Sequence, residues 1–146
     1  MENKKVIFAS DHAGFDLKKE LINHLKKQNI EVVDLGPFNN NESVSYAYYG
    51  KKLAKELLKN DNYVGVGICG TGLGISYALN RFKKIRAARV TEINDAKLAR
   101  LHNNANVIAL SGRFVSFEKS KEILDTFLTT DYEGGRHQKR IEELDN

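Results

Sequence analysis

The residues best suited to chemistry are a cysteine and the glycine-rich turn that follows it, near the middle of the 146-residue chain. Residues 68–74 read ICGTGLG, so a predicted strand meets a predicted helix through Gly70, Gly72 and Gly74. Such a turn lets backbone N–H groups and a helix N-terminus converge on an anion. A thiol in that position forms the nucleophilic thiolate more readily than a free cysteine does. The pattern therefore predicts that Cys69 is a nucleophile or general base, and not a buried structural cysteine.

Three familiar phosphate-binding motifs do not fit this turn. The dinucleotide fingerprint needs a glycine at position 75 and follows a first strand, whereas Ile75 follows the third predicted strand. A Walker loop needs Gly-Lys-Ser/Thr, which is absent from the sequence. A cysteine phosphatase loop needs an arginine at position 75. What remains is a thiol at the edge of a turn that can bind an anion.

Further polar residues follow other predicted elements, and each has an ordinary alternative explanation. Asp11 and His12 follow the first strand, where Asp11 could simply cap a helix. His102 and Asn103 could be no more than a helix C-terminus, where such residues are favoured. The four histidines and Cys69 show no spacing typical of metal ligands, so no metal is predicted.

Two arginines near the end of the chain could grip a phosphate. Arg136 and Arg140 are four residues apart, which places them on one face of a predicted helix. A planar guanidinium suits phosphate, although a routine surface pair would have the same spacing.

Hydrophobic periodicity predicts an alternation of strands and helices. Strands are predicted at 6–9, 31–35, 63–68, 85–90 and 107–110, and helices at 15–27, 49–58, 75–82, 95–101, 118–127 and 136–144. Parallel strands need crossover connections, so the pattern predicts an α/β fold: a single-domain Rossmann-like α/β/α sandwich over residues 1–146, with a five-stranded parallel sheet and a C-terminal helical tail at 131–146. Ligands of such sheets bind beyond the carboxyl ends of the strands, where residues 11–12, 69–74 and 111–113 lie.

Composition excludes several classes of protein. Hydrophobic residues make up 41% of the chain and charged residues 29%, and no apolar run reaches the roughly 20 residues of a membrane span. The apolar run near the start is too short for a signal peptide, and one cysteine suits a reducing compartment, so a cytoplasmic location is expected. The net charge of +4 comes mostly from lysines interleaved with acids, which indicates solvated helix faces and no nucleic-acid partner.

Four segments together resemble a known family. They are SDHAG at 10–14, ICGTGLGIS at 68–76, HNNANV at 102–107 and EGGRH at 133–137. In this order and spacing they resemble the ribose-5-phosphate isomerase B family, within the wider RpiB/LacA/LacB sugar-phosphate isomerases. The resemblance implies interconversion of ribose 5-phosphate and ribulose 5-phosphate without metal or organic cofactor.

The resemblance also implies roles for individual residues. Cys69 matches a general base that moves a proton between C2 and C1, and Gly70, Gly72 and Gly74 match a turn whose amides stabilise the enediolate. Residues that match those holding the sugar hydroxyls and assisting ring opening are Asp11, Thr71, His102 and Asn103. Residues that match the phosphate-binding set are His12, Arg113, Arg136 and Arg140. One branch of the family has a glutamate where Ile75 stands, so this chain resembles the cysteine branch.

The sequence leaves two questions open: which sugar phosphate is the substrate, and whether the protein is an enzyme or a binding module. Ser45-Tyr46-Ala47 stands where the family usually has Asp-Tyr-Pro, so a six-carbon substrate (allose 6-phosphate or galactose 6-phosphate) is an alternative. A non-catalytic sugar-phosphate-binding module is a further alternative, although it would have no use for the thiol.

A homodimer with shared active sites, or a tetramer of two such dimers, is also expected. His102 ends a helix that leads into a strand, so it should lie about 17–20 Å, a strand length, from Cys69. A two-fold partner could supply it instead.

Overall fold

A single parallel sheet forms the centre of the molecule in this computed structural model, which describes residues 4–146. The sheet has the strand order β2-β1-β3-β5-β4, and every neighbouring pair is parallel. The strands are β1 (Lys5–Ser10), β2 (Val32–Asp34), β3 (Tyr63–Cys69), β4 (Ala87–Arg89) and β5 (Val107–Ser111). The predicted five-stranded parallel sheet is confirmed.

Helices connect each strand to the next as crossovers, and further helices follow the last strand, β5. They are α1 (Phe15–Lys27), α2 (Tyr46–Leu57), α3 (Leu73–Leu79), α4 (Ile93–Asn103), α5 (Phe117–Thr129) and α6 (His137–Glu143), with one 3₁₀ turn at His12–Gly14. In the part of the chain that the structure describes, no helix is long and apolar enough to cross a membrane.

The helices cover both faces of the sheet, because alternate residues of each strand point to opposite sides. On β1, Val6 and Phe8 face one core, which α1, α4 and α5 complete. Ile7 and Ala9 face the other core, which α2 and α3 complete. The architecture is therefore the α/β/α sandwich that the sequence predicts.

Glycines in β3 allow the second layer to approach closely. A Cβ atom on Gly65 would lie 2.7 Å from Leu57 of α2, and one on Gly67 would lie 3.2 Å from Ile75 and from Leu79 of α3. Helix α3 follows the glycine-rich turn, so this close packing fixes the turn against the sheet.

Some element boundaries differ from the predicted ones, and a side-chain cap and a left-handed residue explain two of the differences. Helix α2 begins three residues before the predicted start, because the Ser45 hydroxyl accepts the N–H groups of Ala47 and Tyr48 at 3.1 and 3.2 Å. Helix α4 runs to Asn103 and stops where Asn104 adopts a left-handed conformation with φ 47°. His102 and Asn103 therefore lie in the last turn of a helix.

The strand order creates one crevice. From β1 the chain moves to β2, which pairs with one edge of β1. It then crosses to β3, which pairs with the other edge of β1. The carboxyl ends of β1 and β3 thus lie at the point where the order reverses, which is where open α/β sheets bind ligands.

Candidate active site

A cavity of about 580 Å³ opens at this crevice. Its wall contains seven of the twelve site residues predicted from the sequence: Asp11, His12, Cys69, Gly70, Thr71, Gly74 and Arg113. The other lining residues are Ala13, Ser43, Val44, Ser45, Tyr46, Leu73 and Tyr77. A cavity of about 650 Å³ at the opposite end of β1, near Lys4 and Glu31, contains none of the predicted site residues.

Cys69 is the last residue of β3 and carries the only thiol in the sequence. Its side chain is 3% exposed, and its sulfur accepts the backbone N–H of Gly72 at 3.2 Å. The sulfur is therefore held inside the turn that it precedes, at the wall of the cavity.

Gly72 gives the turn its shape. Its φ of +80° is left-handed, a conformation that side chains other than that of glycine rarely adopt. A Cβ atom there would also lie 3.1–3.2 Å from backbone atoms of Ala109 and Leu110 in β5. Both constraints require glycine at the position whose amide contacts the Cys69 sulfur.

Asp11 caps the 3₁₀ turn that follows β1, as its position in the sequence allows, and it also lines the cavity. Its carboxylate accepts the N–H of Gly14 at 3.1 Å, which starts the 3₁₀ turn. Burial raises the pKa of Asp11 above its ordinary value, although the hydrogen bond from Gly14 and the charges of His12 and Arg113 act in the opposite direction. A buried carboxyl with a raised pKa can exchange a proton with a bound ligand more easily than a surface aspartate can.

His12 is oriented by a segment distant in sequence. Its Nδ1 lies 3.1 Å from the backbone N of Val44, in the loop before α2. The same Nδ1 lies 3.3 Å from the Val44 carbonyl oxygen, so either tautomer of the ring has a hydrogen-bond partner in Val44. These contacts hold the His12 ring at the wall of the cavity.

Arg113 brings a guanidinium over the glycine-rich turn. Its Nη1 lies 3.1 Å from the place that a Cβ atom on Gly70 would occupy, so the absent side chain leaves room for it. The Arg113 N–H donates to the Gly70 carbonyl at 3.1 Å, and the Ser111 hydroxyl donates to the same oxygen at 2.7 Å. These bonds join the segment after β5 to the turn after β3.

The remaining turn residues also have defined partners. The Thr71 hydroxyl accepts the N–H of Leu73 at 3.1 Å, and Arg89 of β4 donates to the Thr71 carbonyl at 3.1 Å. A Cβ atom on Gly74 would lie 2.6–2.8 Å from the ring of Tyr46, so this ring lies directly against the glycine. Tyr46 thereby forms part of the cavity wall beside the turn.

His102 and Asn103 do not line this cavity. His102 Nε2 lies 3.7 Å from the carboxylate of Glu133, and its ring stacks on His137 with centroids 4.6 Å apart. The backbone carbonyl of Asn103 accepts Arg86 Nε at 3.1 Å, and the Asn103 side chain is exposed.

Arg136 and Arg140 lie on the tail and also do not line the cavity. Arg136 immediately precedes α6 and Arg140 lies in its last turn, and both are exposed. Helix α6 itself is anchored through the buried side chains of His137 and Ile141.

The two groups of residues lie toward opposite ends of the sheet. Cys69 pairs with Ser111 at the carboxyl end of β5, whereas α4, which carries His102, leads into the amino end of β5. The four residue steps of β5 span about 13 Å. Within one chain, His102, Asn103, Arg136 and Arg140 are thus separated from Cys69.

Sequence patterns did not reveal part of the cavity wall. Val44 and Tyr77 line it, yet Val44 lies in a polar loop without periodicity and Tyr77 lies on a helix face that looks like ordinary surface. The signals that the sequence did contain for this part of the wall were Ser45 and Tyr46, in the segment that departs from the family pattern.

The chain matches a known protein family over most of its length. The ribose/galactose isomerase family matches residues 6–144. A probable ribose-5-phosphate isomerase B of Mycoplasma pneumoniae is 44% identical over 97% of this chain and 93% of its own length. Ribose-5-phosphate isomerase B of Escherichia coli is 43% identical over 97% of this chain and 94% of its own length.

Solved structures agree with this assignment. The ribose 5-phosphate isomerase of Thermotoga maritima has 46% identity and a TM-score of 0.95, with 99% of each chain covered. Ribose-5-phosphate isomerase B of Mycoplasma genitalium, solved with bound ribulose-5-phosphate, has 41% identity and a TM-score of 0.94, covering 99% of this chain and 95% of that one. With the sheet, the turn and these likenesses in agreement, the chain belongs to the ribose/galactose isomerase family.

Proposed function

We propose that this protein is an aldose–ketose isomerase that interconverts ribose 5-phosphate and ribulose 5-phosphate, with Cys69 as the general base. The observation that carries the proposal is the Cys69 sulfur at the cavity wall, held by the Gly72 amide at 3.2 Å beside the turn of residues 70–74. The family membership and the M. genitalium complex with ribulose-5-phosphate support the same reaction.

In the proposed reaction, the Cys69 thiolate removes the proton from C2 of the open-chain aldose. The electrons of the broken C–H bond form a C1–C2 double bond, and the negative charge moves to the C1 oxygen. Backbone amides of the 70–74 turn, four of whose residues line the cavity, stabilise that oxygen. The thiol then returns the proton to C1, while the hydroxyl proton on O2 is transferred to O1, which gives the ketose.

Polar residues around the cavity are proposed to hold the rest of the sugar. Asp11 and Thr71 bind hydroxyl groups, and the raised pKa of Asp11 allows it to exchange a proton during ring opening. His12 and Arg113 bind the phosphate from this side of the cavity, because an imidazole and a guanidinium can both donate hydrogen bonds to phosphate oxygens.

We further propose a homodimer in which the partner supplies His102, Asn103, Arg136 and Arg140 to the same cavity. The separation of these residues from Cys69 within one chain supports this arrangement. Apolar side chains near the cavity support it as well, since Leu73, Tyr77 and the neighbouring Phe114 are between 39% and 75% exposed. Exposed apolar surface of this kind is typical of an interface between proteins. Two such dimers could form a tetramer.

The organisation and location of the chain complete the proposal. Residues 1–146 are proposed to form one sugar-phosphate isomerase domain in which 131–146 is a tail, because α6 is anchored by the buried Ile141. A single free thiol as general base suits a reducing environment, so the proposed location is the cytoplasm.

The proposal is tested by replacing the base. Cys69→Ala should retain the fold and phosphate binding, and should lower kcat for ribose 5-phosphate by about 10²–10⁴-fold, the typical contribution of a positioned base. Allose 6-phosphate and galactose 6-phosphate serve as competing substrates, because Ser45 and Ala47 occupy the altered segment beside the cavity. Near-normal turnover of Cys69→Ala would exclude Cys69 as the base, and a higher kcat/KM for a six-carbon sugar would reassign the substrate.

A further inference from the structure

Outside the cavity, two histidines and a glutamate form a cluster that spacing along the sequence does not reveal. His102 lies in the last turn of α4, Glu133 lies in the segment before α6, and His137 is the first residue of α6. The ligand atoms of the three side chains all lie within 4.8 Å of one another. We propose that this cluster binds Zn²⁺, and that the bound ion withdraws His102 from the sugar and inhibits the enzyme.

Two sides of the triangle formed by the ligand atoms already fit a zinc ion. Zinc bonds of about 2.0–2.2 Å in a tetrahedron separate neighbouring ligand atoms by about 3.3 Å. The Glu133 carboxylate oxygen lies 3.3 Å from His137 Nε2 and 3.7 Å from His102 Nε2. The ligand nitrogens of the two imidazoles lie within 4.8 Å of each other, and the partly exposed ring of His102 can rotate to bring its nitrogen closer to the other two ligand atoms.

The backbone holds the three residues in place before any ion binds. The Glu133 N–H donates to the carbonyl of Leu101 at 3.0 Å, which fixes the start of the tail against the end of α4. Gly134 and Gly135 then adopt left-handed conformations, with φ of +75° and +64°, and turn the chain so that His137 faces Glu133. Because the ligands are positioned in advance, little ordering is needed when an ion binds.

The chemistry of the cluster selects zinc over magnesium or calcium. Two imidazoles and one carboxylate match the His₂Glu ligand set of zinc, whereas magnesium and calcium prefer oxygen ligands alone. Glu133 is exposed and His102 partly exposed, so an ion can enter from solvent and keep a water molecule as its fourth ligand. The carboxylate also supplies negative charge that offsets part of the charge of the ion.

The inhibitory effect rests on the proposed function, whereas the binding of zinc does not. In the proposed dimer, His102 belongs to the sugar site of the partner, and ring opening needs its imidazole free. A zinc ion occupies the nitrogen that would otherwise contact the sugar. The ion is not required for the reaction, so the metal-free protein should be the active form.

Binding is tested first, without substrate, by calorimetric titration of the full-length protein with ZnCl₂ after treatment with EDTA. We expect one site per chain. Glu133→Gln and His137→Gln should each weaken it by more than the roughly 10–100-fold lost when an outer-shell partner is removed. His24→Gln is the matched control, because His24 pairs with one carboxylate, Asp125, at 2.7 Å and has no second imidazole. It should leave the affinity unchanged.

The thiol of Cys69 is the main other group that could bind the zinc ion, and a Cys69→Ala variant tests this alternative. Cys69→Ala should still bind one zinc ion per chain, and Co²⁺ in its place should show a tetrahedral absorption spectrum without a thiolate charge-transfer band. Loss of binding in Cys69→Ala, or unchanged binding in both Glu133→Gln and His137→Gln, would overturn the assignment of the site.

Inhibition is measured in a separate experiment. Zinc should inhibit the isomerase at concentrations that fill the site, EDTA should restore the rate, and Glu133→Gln should resist inhibition relative to its own metal-free rate. Binding without inhibition of an active enzyme would overturn the inhibitory role. A protein that binds zinc but isomerises no sugar would contradict the proposed function and leave the site intact. Glu133 is exposed, and an unchanged unfolding midpoint of Glu133→Gln would verify that its fold is retained.

Discussion

Mixing two inactive variants should restore activity if each active site takes residues from both chains. Cys69→Ala removes the base from the cavity at the carboxyl end of β3. His102→Ala removes a side chain from the last turn of α4, which leads into the amino end of β5, a strand about 13 Å long. In a heterodimer of the two variants, one site lacks both residues and the other site has both. The second site is therefore complete.

The size of the recovery follows from this count. Equal amounts of the two variants, unfolded and refolded together, give about half heterodimers, each with one complete site of two, so activity should return to about 25% of wild type. The assay is the conversion of ribose 5-phosphate to ribulose 5-phosphate before and after joint refolding, with the dimer fraction measured by sedimentation.

A matched pair of variants controls for other causes of recovery. Cys69 and Arg113 line the same cavity of one chain, so a heterodimer of Cys69→Ala and Arg113→Ala contains no complete site, and joint refolding should not raise activity above the mean of the two separate variants. Absence of recovery with Cys69→Ala and His102→Ala, despite confirmed heterodimers, would refute the shared site. An active wild-type monomer would refute it as well.

Three further predictions concern stability and substrate binding. Gly72→Ala should lower the free energy of unfolding by roughly 2–5 kcal/mol in urea titrations, because a left-handed alanine and contacts of 3.1–3.2 Å with β5 add together. Gly134→Ala, with a φ of +75° and nothing within 4 Å, should lose only about 1–2 kcal/mol; equal losses would contradict the role of crowding. Asp11→Asn should raise the free energy of unfolding at pH 7, because burial raises the pKa of Asp11 and the folded state therefore disfavours its charge. This destabilisation by the charged Asp11 appears as the pH rises above 3.8, the ordinary pKa of the group, so the stability gained in Asp11→Asn should vanish at lower pH. Asp16→Asn, at an exposed residue, is the control and should gain no stability. Arg136→Ala and Arg140→Ala should raise KM with little change in kcat, whereas Arg81→Ala, at another exposed arginine, should not; an unchanged KM in both tail variants would exclude the phosphate clamp.

The sequence predicts the elements well where burial is periodic. Leu17, Leu21 and Leu25 recur every four residues, and all three are buried on α1, whose bounds coincide with the predicted 15–27. The start of α2 was less predictable, because it depends on one hydroxyl, that of Ser45, and not on a repeated pattern. Hydrophobic spacing reports which face of a helix is buried, but it contains little information about where the helix begins.

The candidate site likewise contains residues that a regular element positions and residues that an irregular loop positions. Asp11, Cys69 and Arg113 could be placed together in advance, because the carboxyl ends of parallel strands share one edge of the sheet. Val44 could not, since its contact with His12 joins residues far apart in sequence through an irregular loop. The cluster of His102, Glu133 and His137 was equally hidden, because only the packing of the tail against α4 brings it together.

The edges of the sheet limit how this chain can associate with other chains. The outer strands β2 and β4 have three residues each, whereas the inner strands β1, β3 and β5 have six, seven and five. Short edges offer few unpaired backbone groups to another strand, which protects a sheet from edge-to-edge aggregation. Two copies of this chain are thus poorly suited to form a continuous intermolecular sheet, and specific association is left to the side chains of its helices and loops.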